Sequence, residues 1–195
     1  MKRLVLASGN PGKLREIGAL LSSLAIEVIP QSRLGIAEAD EPYETFLDNA
    51  LAKARHASRA SGLPALADDS GLCVDALGGA PGVHSAYFAG REGTREERDA
   101  RNNAKLLASL GAERAAHYAC VMALVRGADD AAPLVAEGIW RGEIARAPRG
   151  ASGFGYDPLF LLPERGLTAA ELAPEEKNRI SHRGRAAARL LELLR

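Results

Sequence analysis

Asp68 and Asp69 are adjacent carboxylates that follow the apolar run Leu63–Ala67 and precede Ser70 and Gly71. Like charges held side by side at the end of a buried strand raise each other's pKa unless a cation sits beside them. In open α/β sheets, ligands bind at the carboxyl ends of strands. Two carboxylates there suit Mg²⁺, which takes oxygen ligands and keeps several waters. A carboxylate beside such an ion can orient or deprotonate a water. Asp-Asp-Ser-Gly also has the composition of a plain turn. The apolar residues that resume at Leu72 favour the chemical reading.

Ser8-Gly9-Asn10-Pro11-Gly12-Lys13 joins an apolar run to a helical pattern. A helix N-terminus offers N–H donors and a positive dipole end, and glycines let a ligand approach the backbone closely. With Lys13 in the first turn, the stretch suits a phosphate group. The GxxxxGK[ST] spacing of a Walker loop is missing, and Asn10-Pro11-Gly12 would also serve as a simple bend. Asp40 and Glu41 lie in an acidic loop. Asn49, Lys53 and His56 then share one helix face, a polar stripe of the kind that usually meets solvent. Gly78–Gly82 and Gly150–Gly155 are rich in glycine. Beside the second, Phe154 could stack on a base and Asp157 could accept its N–H groups, although a tight turn with one buried aromatic has the same composition. Ser181-His182-Arg183 offers a helix N-cap in Ser181, or ligand donors in His182 and Arg183.

The elements that must position these residues are short and alternate in type. Arg3–Ala7 reads as a strand buried on both faces. Leu14, Ile17, Leu21 and Leu24 recur at helical spacing, and Ile26–Ile29 reads as a second strand. Thr45–Ala60 predicts a helix with Phe46, Ala50, Ala54 and Ala57 on one side. Leu63–Ala67 predicts a strand that ends at the paired aspartates. Thr94 and Glu97 form a capping-box pattern that opens a helix running to Gly111. Tyr118–Arg126 and Leu134–Glu143 predict a hairpin around Gly127–Asp130. Pro158–Leu162 reads as a short strand, and helical segments follow Pro174 and end the chain. Alternation plus a long hairpin predicts an α/β fold with a mixed sheet.

Composition narrows the classes. The 195 residues suit a single domain spanning 1–195. Apolar content of 47% and charged content of 26% are those of an ordinary globular protein. Lys plus Arg equals Asp plus Glu at 25 each, which argues against a globally basic nucleic-acid binder. Cys73 and Cys120 lack the spacing of a zinc site or a disulfide framework. No apolar run approaches the ~18 residues of a membrane helix, and the start is too short for a signal peptide. The expectation is a cytoplasmic protein that binds neither membrane nor nucleic acid.

Five stretches stand in order: LASGNPGKLREI at 6–17, ETFLDNALAKARHA at 44–57, ADDSGLCVDALGGAPGVHSAYFAG at 67–90, GFGYDPLF at 153–160 and AELAPEEKNRISHRGRA at 170–186. Each alone is weak, but in this order and spacing they are specific. Together they resemble the inosine triphosphate pyrophosphatase family, over nearly the whole chain. The resemblance implies an elongated mixed sheet flanked by helices, in two lobes around a deep cleft, and a homodimer. It implies a triphosphate loop of Ser8, Gly9, Asn10, Pro11, Gly12 and Lys13, joined by Lys53. It implies Asp69 as general base and metal carboxylate, and Ser70 as a substrate contact. The second metal carboxylate is Asp40 or Glu41, and Asp68 either reaches the metal or holds the turn. Phe154, Gly155, Tyr156, Asp157, Lys177, His182 and Arg183 match the purine pocket. The implied reaction is Mg²⁺-dependent hydrolysis of ITP, dITP or XTP to the monophosphate and pyrophosphate.

Overall fold

The computed structural model describes residues 1–22 and 25–195. Leu24, expected at the end of the first helical stripe, lies outside the described residues. Among the described residues, seven strands form one sheet in the order β2-β1-β3-β4-β5-β6-β7. They are β1 Arg3–Leu6, β2 Glu27–Pro30, β3 Ala65–Val74, β4 Ala115–Val125, β5 Leu134–Ile144, β6 Phe160–Leu162 and β7 Leu167–Thr168. The helices are α1 Pro11–Leu21, α2 Phe46–Ser61, α3 Arg95–Ala108, α4 Pro174–Ile180 and α5 His182–Leu193. β1 pairs in parallel with β2 and β3, whereas β6 is antiparallel to β5 and β7. The Ile144 N–H at the end of β5 donates to the Arg114 carbonyl just before β4, so these two strands also run in opposite directions. The expected mixed sheet and hairpin are therefore present.

Most expected boundaries shift by one to three residues, and β4 opens at Ala115 where Tyr118 is the expected start; two shifts have a clear local cause. β3 does not stop before the aspartates: it continues through them to Val74, ten residues in all. Apolar residues resume at Leu72 because the strand has not ended. α3 has the expected capping box between Thr94 and Glu97 but ends at Ala108 with Ser109 as its cap, short of Gly111. The Ser109 N–H and hydroxyl both bond the Lys105 carbonyl and close the last turn early. The short strand β7 carried no periodic signal that two residues could show.

The chain divides into two compact units. The first comprises Met1–Asp69, Cys120–Gly138 and His182–Arg195. Its strands alternate strictly, as period-two geometry requires. Leu4, Leu6, Leu66, Cys120, Met122 and Leu124 pack with Ile17 and Leu21 of α1 and with Ala186, Ala187 and Leu190 of α5. Val5, Ala7, Ala65, Ala67 and Val125 pack with Ala54 and Ala57 of α2. This layer of α1 and α5 on one face and α2 on the other buries continuous apolar strands on both sides. The second unit comprises Ser70–Ala119 and Ile139–Ser181. Its core joins Leu72 and Val74 to Leu106 and to an aromatic cluster in which Phe160 lies 4.6 Å from Tyr118 and 5.0 Å from Trp140, ring centre to ring centre. Among the described residues, no helix is long and apolar enough to cross a membrane.

Where α5 meets the first unit's end of β5, Gly138 leaves no room for a side chain. A Cβ there would overlap the His182 carbonyl oxygen and the Ala186 nitrogen, both backbone atoms that cannot turn aside. Gly138→Ala should therefore lower stability by about 1–3 kcal/mol, the usual cost of overpacking. Urea denaturation checks this, and an unchanged midpoint refutes the close approach.

Candidate active site

Because β3 is a true strand at Asp68 and Asp69, the two side chains leave it on opposite faces. Asp68 follows Leu66 onto the α1 and α5 side, and Asp69 follows Ala65 and Ala67 onto the α2 side. Each finds its own cations. Asp68 Oδ2 lies 3.0 Å from Lys13 Nζ of α1 and accepts from Arg183 Nε of α5 at 3.3 Å. Arg183 Nη1 in turn pairs with Glu16 of α1. Asp69 Oδ1 accepts from Lys53 Nζ of α2 at 2.9 Å, and Asp69 Oδ2 accepts from Asn49 Nδ2 at 3.3 Å.

These partners push the two carboxyls apart. Burial would raise Asp68, but Lys13 and Arg183, with Lys53 behind them, outweigh it and hold the group well below the usual carboxylate range. Burial also acts on Asp69, and there it wins: Lys53 and Lys13 offset only part of it, Glu41 adds to it, and the carboxyl is raised. The reason is that Lys53 is shared. Its ammonium also contacts Glu41 Oε1 at 2.5 Å. Burial would lower Lys53, but Asp69, Glu41 and Asp68 together keep it charged far above neutral pH. Mutual repulsion of the two aspartates, the expectation from their adjacency, is thus not what tunes the pair; opposite facing and unequal shares of lysine are.

The polar stripe of α2 is a clamp rather than a solvated face. Asn49, 1% exposed, donates to the Tyr43 carbonyl and accepts from its N–H. Lys53 holds Glu41, and a ring nitrogen of His56 lies 3.0 Å from the Ala37 oxygen. Three positions on one helix face thereby fix the acidic loop. Glu41 is the member that reaches Lys53, while Asp40 is exposed. The loop also meets the 8–13 stretch, where a Cβ on Gly9 would overlap the Glu38 carboxylate. In that stretch Pro11 opens α1 and Asn10 caps it, its Oδ1 accepting from the N–H groups of Gly12 and Lys13. The Asn10 N–H donates to Ser8 Oγ. An anion here meets amides already engaged by a neutral cap, with Lys13 as the charge beside them.

In the second unit, Phe154, Gly155, Asp157 and Lys177 come together. Asp157 Oδ2 accepts from Lys177 Nζ at 2.5 Å and from the Phe154 N–H at 2.9 Å. Lys177 Nζ also lies 5.1 Å from the Phe154 ring centre. Gly153 must be glycine: its φ is +80° and a Cβ would overlap the Asp157 carboxylate. Tyr156 turns into the core, where its hydroxyl donates to the Ser85 carbonyl. Ser70 lies on β3, half-buried. His182 and Arg183 fall in the first unit, both buried. Glu16 completes the Asp68 cluster without having been singled out, whereas Asn49 belongs to the stripe read as a solvated face. Glu16 stands three residues after Lys13, one turn on, and that spacing is its sequence signal.

The two aspartates should behave oppositely when neutralised. Asp68→Asn leaves Lys13 and Arg183 around an uncharged amide and should lose about 3–5 kcal/mol, as broken buried ion pairs do. Asp69→Asn removes a carboxylate that burial penalises and should lose less than about 1 kcal/mol. Since the folded chain holds the Asp68 proton less tightly than the unfolded chain, its stabilisation is whole above about pH 4 and drains away as pH falls below that. Chemical denaturation of both variants at neutral pH, and of the parent in acid, checks the order.

A family model described as the Ham1 family matches residues 4–193. A dITP/XTP pyrophosphatase of Bordetella pertussis is 61% identical over 197 residues, covering 100% of this chain and 92% of that protein. One from Burkholderia pseudomallei is 63% identical over 194 residues, covering 98% and 93%. The solved structure of a HAM1 protein from Coxiella burnetii superposes with a TM-score of 0.90 at 49% identity, covering 100% of this chain and 98% of that one. The Staphylococcus aureus Ham1 protein gives 0.85 at 38% identity, covering 99% and 98%. The fold, the order of motifs and full-length identity agree: the chain belongs to the Ham1 family.

Proposed function

We propose that the protein hydrolyses non-standard purine nucleoside triphosphates, ITP, dITP and XTP, to the monophosphate and pyrophosphate. The observation that carries the reading is Asp69: a buried carboxylate with a raised pKa, held by Asn49 and sharing the Lys53 ammonium with Glu41. A raised pKa brings a carboxylate closer to the operating pH, which is what a general base needs. The kinship with dITP/XTP pyrophosphatases supplies the substrate class.

The donor set fits a divalent cation, Mg²⁺ in this proposal. Glu41 and Asp69 converge on one ammonium and so lie close to each other. Among the described residues, no three His, Cys, Asp or Glu side chains cluster. One or two carboxylates completed by substrate phosphates is the usual arrangement for Mg²⁺. When bound, the ion neutralises charge that develops on the phosphates. Asp68, already committed to Lys13 and Arg183, is a brace and not a ligand in this scheme.

The chain's own groups do the rest. Asp69 orients a water toward the α-phosphorus and takes its proton. Lys13 and Lys53 stabilise the leaving pyrophosphate. Phe154 offers a face to the purine, and Lys177, held by Asp157, donates to the oxygen at C6. Adenine carries an amino group there, which would leave a buried donor unpaired, and such mismatches reject a substrate by ~10⁴-fold or more.

The test is pyrophosphate release from a panel of ITP, XTP, dITP, ATP, GTP, dUTP and dTTP, with and without Mg²⁺. ITP and XTP should lead by orders of magnitude, and chelation should stop turnover. Asp69→Asn should abolish release while ITP still binds by calorimetry. Equal rates on ATP, or turnover surviving in Asp69→Asn, would sink the reading.

A further inference from the structure

The Phe154–Gly155 backbone is held from two sides. From its own loop, Asp157 takes the Phe154 N–H. From α3, Asp99 Oδ2 accepts the next N–H, that of Gly155, at 2.9 Å. Asn103 Nδ2 donates to the Gly155 carbonyl at 2.9 Å. One turn before Asp99, the Arg95 guanidinium lies 5.1 Å from the Phe154 ring centre. Arg95, Asp99 and Asn103 follow at intervals of four and so occupy one helix face. Both peptide groups of Gly155 are thereby fixed by side chains more than fifty residues away in sequence.

Gly155 has φ +63°, so the residue after the ring is a left-handed bend that nothing in its own side chain can hold. The Asn103 amide is oriented by chemistry. Its nitrogen faces two carbonyls, those of Asp99 and Gly155, and a flipped amide would set oxygen against both. Its Oδ1 is buried without a hydrogen-bond partner among the described residues. A residue kept only for packing would not carry an unused buried acceptor; the donor is what the position needs.

We infer that Asp99 and Asn103 are positioning residues for base recognition: they fix the Gly155 bend and so the direction of the Phe154 ring on which the purine stacks. The inference rests on the proposed function, since it assumes that Phe154 receives a purine. It predicts an effect on binding and on purine selectivity, and little effect on the chemical step, because neither residue has a part in that step.

The two positions demand different chemistry, which makes the test specific. Gly155 N–H needs an acceptor but no charge, so Asp99→Asn should resemble the parent and Asp99→Ala should not. The Gly155 carbonyl needs a donor, so the nearly isosteric Asn103→Asp should be as damaging as Asp99→Ala. Both damaging variants should raise the KM for ITP about tenfold while kcat stays within about twofold. Their Gly155 amide should exchange with solvent faster than in the parent, a readout independent of any substrate. An unchanged KM in both variants, with the parent active on ITP, overturns this inference alone. A fall in kcat at constant KM, or failure of Asp99→Asn to restore KM, overturns it too. A parent inert toward ITP and XTP removes the proposed function and this inference together.

Discussion

Period-two geometry at Asp68 and Asp69 is the constraint on which the first unit is built. On a turn, two adjacent carboxylates would compete for one cation. On a strand, they are sent to opposite faces, and each must meet a different helix. That fixes what the helices carry: Lys13 and Arg183 on the α1 and α5 side, Lys53 and Asn49 on the α2 side. It also fixes how closely they pack. α2 reaches the sheet through Ala54 and Ala57 against Val5, Ala7, Ala65 and Ala67, small residues on both sides. Lys53, next to Ala54 on the helix, can then place its ammonium at the aspartate while its stem remains buried.

The same geometry makes the two carboxylates unequal. Asp68 has two cations close by, and Arg183 is itself neutralised by Glu16, so the cluster is balanced in charge. Cys120, beneath it, has its thiol pushed up to about 12, first by burial and then by Asp68, and so stays protonated. Asp69 has only a share of one lysine. Asp68, with two cations beside it, braces the helices, and Asp69, with a share of one, is the carboxylate that the proposed function makes the base. The division follows from counting charges on each face.

Much of this was legible in the sequence where the signal is local. The capping box at Thr94 and Glu97, the apolar runs of β1 and β3 and the hairpin strands all depend on neighbours within a few residues. The end of β3 lies further on than its composition suggests because Asp-Asp-Ser-Gly reads as a turn, while its strand state comes from its place between β1 and β4 in the sheet. The Asn49, Lys53 and His56 stripe has the right periodicity for a solvated face; only the acidic loop folded back over it makes it a clamp. The pairing of Arg183 with Asp68 spans 115 residues, and the hold of α3 on Gly155 more than fifty. No window along the chain carries such information, whereas the ordered motifs carried the family because they sample the whole chain at once.

Both units handle lysine in one way: the ammonium reaches its place already paired to a buried aspartate, Lys53 with Asp69 and Lys177 with Asp157. A bare ammonium there would lose much of its hydration with nothing in return. The pairing has a consequence for the ligand. A triphosphate that takes Lys53 as a partner must draw it from Glu41 and Asp69, and those carboxylates, left without their shared cation, then favour a divalent one. In the proposed function, phosphate and metal binding would in this way be linked through a single lysine, each making the other's site more favourable. Lys177 differs because Asp157 also holds the Phe154 N–H and remains satisfied in part if the ammonium turns to a base oxygen. In the proposed function, then, the first pair is exchanged for ligand charges, and the second stays in place while it reads a neutral ring.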